Sequence, residues 1–163
     1  MDSHDRVDRI QEEWRRERPD IDVSPQGIIG RLHQVANRLT AELNLVFEQH
    51  GLGEGEFDVL ASLRRAGAPF ERAPGELAQH TMVTTGAMTK RLDRLTEAGL
   101  VIRRPTDGDG RRRTVALTER GRAVIDAAFA DHMANEQRLI GSIPEADRQA
   151  LQSTLKNWLQ QLD

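Results

Sequence analysis

The side chains in this 163-residue chain best suited to contact another molecule are cationic and clustered. Arg111, Arg112 and Arg113 are consecutive and follow Asp109-Gly110; Lys90 and Arg94 stand four apart, with Thr84, Thr85 and Thr89 beside them. Guanidinium and ammonium groups at this density neutralise phosphates, while threonine and lysine on one helical face can reach base edges. Residues 81–122 hold ten Lys/Arg against five Asp/Glu, a balance of +5; the whole chain carries −3, which leaves −8 elsewhere. The total argues weakly against nucleic acid, but the positive charge lies where phosphates would lie, and the acidic remainder disfavours misplaced contact.

The elements that must position these residues are legible in Val83 to Thr118. Thr84 or Thr85 can cap a helix, no proline interrupts before Gly99, and glycine suits the stop. At about 100° per residue, Thr84, Met88, Leu92 and Leu95 share one face, whereas Gly86, Thr89, Lys90, Asp93 and Glu97 point the other way. Leu100 to Arg104 and Thr114 to Leu117 have the β-branched, alternating character of strands, and Pro105 to Arg113 is expected to be the tip between them. Pro74-Gly75-Glu76-Leu77-Ala78 opens a short preceding helix, with a tight break at Thr81 to Val83. Each part alone fits an ordinary amphipathic helix or a solvated hairpin. In this order they predict a winged helix-turn-helix, with the helix in a major groove and the arginine-bearing hairpin on phosphates or an adjacent minor groove.

The run GELAQH…TTGAMTKRLDRLTEAGLVIRRPTDGDGRRRTVALTERG resembles the DNA-binding core of the MarR (multiple antibiotic resistance regulator) family. The resemblance rests on Leu92-Asp93-Arg94-Leu95, Gly99-Leu100-Val101, Arg103, the Asp109…Arg111 tip and Leu117-Thr118…Gly121, and in length and element order it covers nearly the whole chain. Family wings commonly read Asp-Arg-Arg where this chain has Asp109-Gly110-Arg111; Arg112 and Arg113 stand next to the altered position. The resemblance implies a double-stranded DNA partner. It places base contacts among Thr84, Thr85, Thr89 and Lys90, and backbone or minor-groove contacts among Arg94, Asp109, Arg111, Arg112 and Arg113. With no cysteine in the chain, the thiol-based peroxide sensing of some relatives is excluded.

Around this core the chain reads as mainly helical. Residues 1–22 form an extra N-terminal helix with Val7, Ile10 and Trp14 at helical spacing, ended by Pro19; Trp14 is expected to dock it. Residues 23–52 and 119–163 form a helical dimerisation region, and 53–118 the winged domain. Ser24-Pro25 caps a long helix with Ile28, Leu32, Val35, Leu39, Leu43 and Val46 on one stripe; Glu54 to Arg65 and Glu119 to Ile140 are further helices. Pro144 starts the last, whose stripe of Leu151, Leu155, Trp158, Leu159 and Leu162 is too wide for an isolated helix and predicts a homodimer. Two wings on one dimer would read a pseudo-palindrome with half-sites roughly 34–36 Å apart. The charged N-terminus and the lack of a long apolar run predict a cytoplasmic protein without a membrane partner. Histidines 4, 33, 50, 80 and 132 are scattered, and no phosphate loop or nucleophile motif appears, so neither catalysis, a metal nor a cofactor is expected.

Arg91 lies at the edge of the recognition helix's apolar face, where a guanidinium needs an anionic partner. Together with Trp14, Asp58 and Arg103 it resembles the urate-responsive branch of the family, in which the matching residues surround an anionic ligand. That resemblance implies a DNA-binding regulator, acting as a repressor, released by urate or a similar small anion. Two arginines can pair with a planar anion while an indole stacks on it. Asp58 can instead serve the dipole of its own helix, and Arg91 can pair with Asp58 alone. Two other readings stand beside this one: a winged-helix protein-interaction module that does not read DNA, and a regulator sensing an aromatic acid at the dimer interface.

Overall fold

The computed structural model describes residues 4–81, 85–106 and 109–162, the side chains of 85–87, 106 and 109–112 lying outside the description. The chain divides into two compact units, Met1–Asn44 and Leu45–Asp163.

In the first unit α1 (Arg6–Glu17) precedes α2 (Gln26–Gln49), which runs on into the second. Asp5 caps α1 by accepting from the amides of Val7 and Asp8 at 2.7 and 3.0 Å, and the Asp8 carboxylate accepts from Asp5 N in return at 3.0 Å. Trp14 does not dock this helix as expected: it is 47 % exposed, and Val7 and Gln11 are the buried residues of α1. Gln11 Nε2 donates to the carbonyl of Val23 at 2.8 Å, and Arg31 on α2 reaches Asp5 and Asp8 at 2.8 and 2.7 Å. Gly30 leaves room for Val7, whose methyls would lie 3.4 Å from a Cβ there. The helix is therefore held by one small apolar residue and a polar clamp. The first part of the stripe on α2 is exposed, at Ile28, Leu32, Val35 and Leu39, whereas Leu43 is half-buried and Val46 buried.

The second unit contains α3 (Glu54–Arg65), β1 (Glu71–Arg72), α4 (Pro74–His80), α5 (Thr85–Glu97), β2 (Val101–Thr106), β3 (Asp109–Leu117), α6 (Glu119–Ile140) and α7 (Glu145–Leu162). Helices α3 and α6 begin and end where the sequence places them. Glu56 reaches back to the amide of Gly53 at 2.8 Å to start α3, and Thr118 caps α6 by accepting from Gly121 N at 2.9 Å. Leu60, Leu63, Leu77, Met88, Leu92, Leu95, Val101, Val115 and Ile125 form the core, with Phe47 and Phe57 stacked at 4.3 Å beside it. His132 lies in this aromatic cluster, 4.9 Å from the Phe57 ring.

The three strands are antiparallel in the order β1-β3-β2. Sequence pattern missed β1, a two-residue strand that pairs Glu71 with Ala116 and Arg72 with Val115. It also drew the hairpin tip too long. The ladder continues through Pro105↔Arg113 and Thr106↔Asp109, and its register slips between Pro105 and Thr106, where proline has no N–H to offer. Gly121 sits where α6 crosses the root of this hairpin: a Cβ on it would lie 1.9 Å from the carbonyl oxygen of Leu100. No other residue fits at that approach. Among the described residues, no helix is long and apolar enough to cross a membrane.

Candidate nucleic-acid interface

Helix α5 presents two faces of opposite character. Met88, Leu92 and Leu95 are each no more than 3 % exposed, whereas Thr89, Lys90, Asp93, Arg94 and Glu97 are exposed. The period of 3.6 thus places the apolar stripe on α3 and α4 and leaves the small and basic positions outward, as a helix that enters a groove requires. Glycine 99, at φ +68°, terminates the helix, and Leu100 N returns to the carbonyl of Leu95 at 2.9 Å before the chain enters β2. Thr118 ties the opposite end of the hairpin to the same corner: its hydroxyl donates to Gly99 O at 2.8 Å, and its amide to Leu100 O at 3.1 Å. Recognition helix, hairpin and α6 are hydrogen-bonded to one another at a single junction.

Of the residues singled out for DNA, Thr89, Lys90, Arg94 and Arg113 are exposed. Thr84 lies outside the described residues. Thr85 opens α5, and Asp109, Arg111 and Arg112 stand on β3, but their side chains are outside the description. Arg94, expected on phosphate, meets Glu56 of α3, with Nε 3.0 Å from Oε1, while remaining 67 % exposed. The pair joins a largely solvated arginine to a carboxylate that is only 14 % exposed.

The four residues proposed as a sensor are not alike. Trp14 belongs to the first unit; Asp58, Arg91 and Arg103 belong to the second. Arg103 Nη2 donates to Asp93, so the hairpin arginine is engaged with the recognition helix itself. Asp58 is half-buried on α3. Arg91 is half-buried too, its Nη1 is fully enclosed, and that nitrogen has no hydrogen-bond partner among the described residues. Its guanidinium lies against Gly55, and Asp58 is one turn further along the same face of α3. Glu56, Gly55 and Asp93 were not foreseen. The only signal for Gly55 was a glycine inside a helical pattern, which often marks a close approach.

The model of the MarR family matches residues 50–112. The chain is 38 % identical over 149 residues to the HTH-type transcriptional regulator PecS of Dickeya dadantii, covering 91 % of this chain and 90 % of that one. A cysteine-to-serine variant of Escherichia coli MarR complexed with operator DNA superposes with a TM-score of 0.72 at 30 % identity, covering 85 % of this chain and 99 % of that one. Sco3205, a MarR family regulator from Streptomyces coelicolor solved in complex with DNA, has a TM-score of 0.78 at 17 % identity, over 88 % and 90 % of the two chains, and shares the fold. A helix with an apolar inner stripe and a basic outer face, fixed at its end to an antiparallel hairpin, together with similarity over nine-tenths of the length of a known regulator, places the chain in the MarR family of winged-helix, DNA-binding transcriptional regulators.

Proposed function

We propose that the protein is a homodimeric repressor that binds a pseudo-palindromic operator and is released by a small planar anion, urate or a related carboxylate. The observation that carries the ligand is Arg91. An enclosed guanidinium nitrogen without a partner is costly, and an anion that reached it would remove that cost. Because Arg91 is carried by the recognition helix, an anion that holds its guanidinium in a new place pulls on the element that reads DNA. Asp58, one turn from Gly55, would be repelled by the same anion, and Arg103 would exchange Asp93 for it.

The dimer is supported by apolar surface that a single chain leaves exposed. On α7, Leu159 and Leu162 are 63 and 71 % exposed, and on α2 Ile28 is 65 % exposed. Faces of this kind normally mark an interface. Thr85, Thr89 and Lys90 supply base contacts, and Arg94, Arg111, Arg112 and Arg113 hold phosphates or the minor groove.

The test is fluorescence anisotropy with labelled DNA recovered from genomic fragments that the protein retains, titrated with urate. Release of wild type but not of Arg91→Ala, with mutual weakening of DNA and anion by one factor, supports the sensor. An Arg91→Ala protein released as readily as wild type overturns it, and favours an aromatic acid at the dimer interface. A stable monomer in gel filtration that still binds palindromic DNA tightly overturns the dimer.

A further inference from the structure

Helix α5 rests on the first turn of α3 through two arginines. Arg94 meets the Glu56 carboxylate, and the Arg91 guanidinium lies against a glycine. A Cβ on Gly55 would lie 2.1 Å from Arg91 Nε, 2.2 Å from Cζ and 2.6 Å from Nη2. Packed heavy atoms come no nearer than roughly 3.5 Å, so the guanidinium plane occupies the space that any side chain at 55 would fill. Gly55 is not there for its backbone. Among the described residues the glycines with positive φ are Gly51, Gly67 and Gly99, and Gly55 is an ordinary helical residue, where glycine is less stable than alanine. Clearance is the remaining reason for a glycine at this position.

We infer that Gly55 is the positioning residue for Arg91: by withholding a side chain it lets the guanidinium lie on α3 with Nη1 turned inward, and so sets how the recognition helix responds to an anion. The consequence for the response rests on Arg91 being the anion's contact, as proposed above. The atoms a methyl would strike are the far end of a flexible side chain, not backbone. Arg91 therefore swings away while both helices stay in place. Gly55→Ala removes the guanidinium from its seat without removing it from the protein.

The experiment compares wild type, Gly55→Ala, Arg91→Ala and the double variant, with urate as the probe and labelled operator DNA as the reporter. The Arg91 Nε–Hε resonance, identified by its absence in Arg91→Ala, reports the seat directly. Gly55→Ala should melt at or above the wild-type temperature. Its Arg91 resonance should move to the position of solvent-exposed arginines. Half-release by urate should need at least about tenfold more ligand, within the usual range of coupling between sites. In the Arg91→Ala background the same substitution should change neither DNA affinity nor release. An unmoved Arg91 resonance in Gly55→Ala, or an equal effect of Gly55→Ala with and without Arg91, overturns the inference. If urate fails to release wild type, the sensor reading falls, and the resonance together with non-additivity in DNA affinity still decides the role of Gly55. If wild type is released, Arg91→Ala is not, and Gly55→Ala behaves as wild type, Gly55 is excluded while the sensor stands.

Discussion

Replacing Gly121 by alanine should destabilise the junction between the hairpin and α6 more than almost any other methyl-sized change. The added Cβ would stand 1.9 Å from Leu100 O and 2.8 Å from Leu100 C, both backbone atoms. Restoring contact at ~3.4 Å requires a retreat of roughly 1.5 Å. That carbonyl accepts from the Thr118 amide at 3.1 Å, and Thr118 caps α6 through Gly121 N at 2.9 Å, so the same movement opens both. Overpacking costs about 1–3 kcal/mol, a lost hydrogen bond about 0.5–1.5 and a lost cap about 0.5–2, against about 0.5–1 gained from helix propensity. The net is about 1–6 kcal/mol, a large part of the stability of a domain this size. Urea unfolding at fixed protein concentration should show a midpoint lower by ~0.5–3 M at an unchanged slope near 2 kcal/mol/M. Gly75→Ala is the matched control, since nothing lies within 4 Å of its added Cβ. It should be neutral or slightly stabilising. Equal midpoints for the two variants would refute the claim that close approach to Leu100, and not glycine's general role in helices, fixes residue 121.

Three further outcomes are expected. Arg113→Ala, at an exposed wing position, should weaken binding to all duplex sequences alike and lower the slope of log K against log salt by about one; an unchanged slope in a salt titration would remove Arg113 from the phosphate contacts. Lys90→Ala should instead change sequence preference, by ~1–3 kcal/mol at one base position, as read by competition among point-substituted operators; a uniform loss would make Lys90 a phosphate contact. The clamp that holds α1 should open in acid. The Asp8 amide, followed by the Arg31 guanidinium, holds Asp5 down from an ordinary 3.8 to about 2, and Arg31 lowers Asp8 as well. Both carboxylates are depressed in the folded chain, so their contribution is complete above about pH 4 and is lost as pH falls towards 2. Trp14 emission in a Trp158→Phe background should follow that loss, and Arg31→Ala should shift it to higher pH; coincident profiles for the two proteins would show that the clamp does not hold α1.

Much of the order of elements was fixed by local chemistry. Glu54 and Arg65 bound α3, and Glu119 and Ile140 bound α6, because helical period, a cap at Thr118 and glycine or proline at the ends act within a few residues. The same period sorted Met88, Leu92 and Leu95 from Thr89 and Lys90, and this made the DNA-reading face legible before any contact was known. The hairpin was recognised but its length was misjudged, because glycines and aspartates near 107–110 mark a turn without saying how far a ladder climbs towards it. Strand β1 was missed because two residues have no period of their own and become a strand only when β3 pairs with them. The engagement of Arg103 by Asp93 and Arg94 by Glu56, the docking of α1 through Gln11 and Arg31, and the clearances at Gly55 and Gly121 belong to tertiary structure alone. Each depends on which atoms meet from different elements. A sequence states the chemistry of an arginine or the absence of a side chain at glycine, but the partner that gives either its meaning is chosen only when the chain closes on itself.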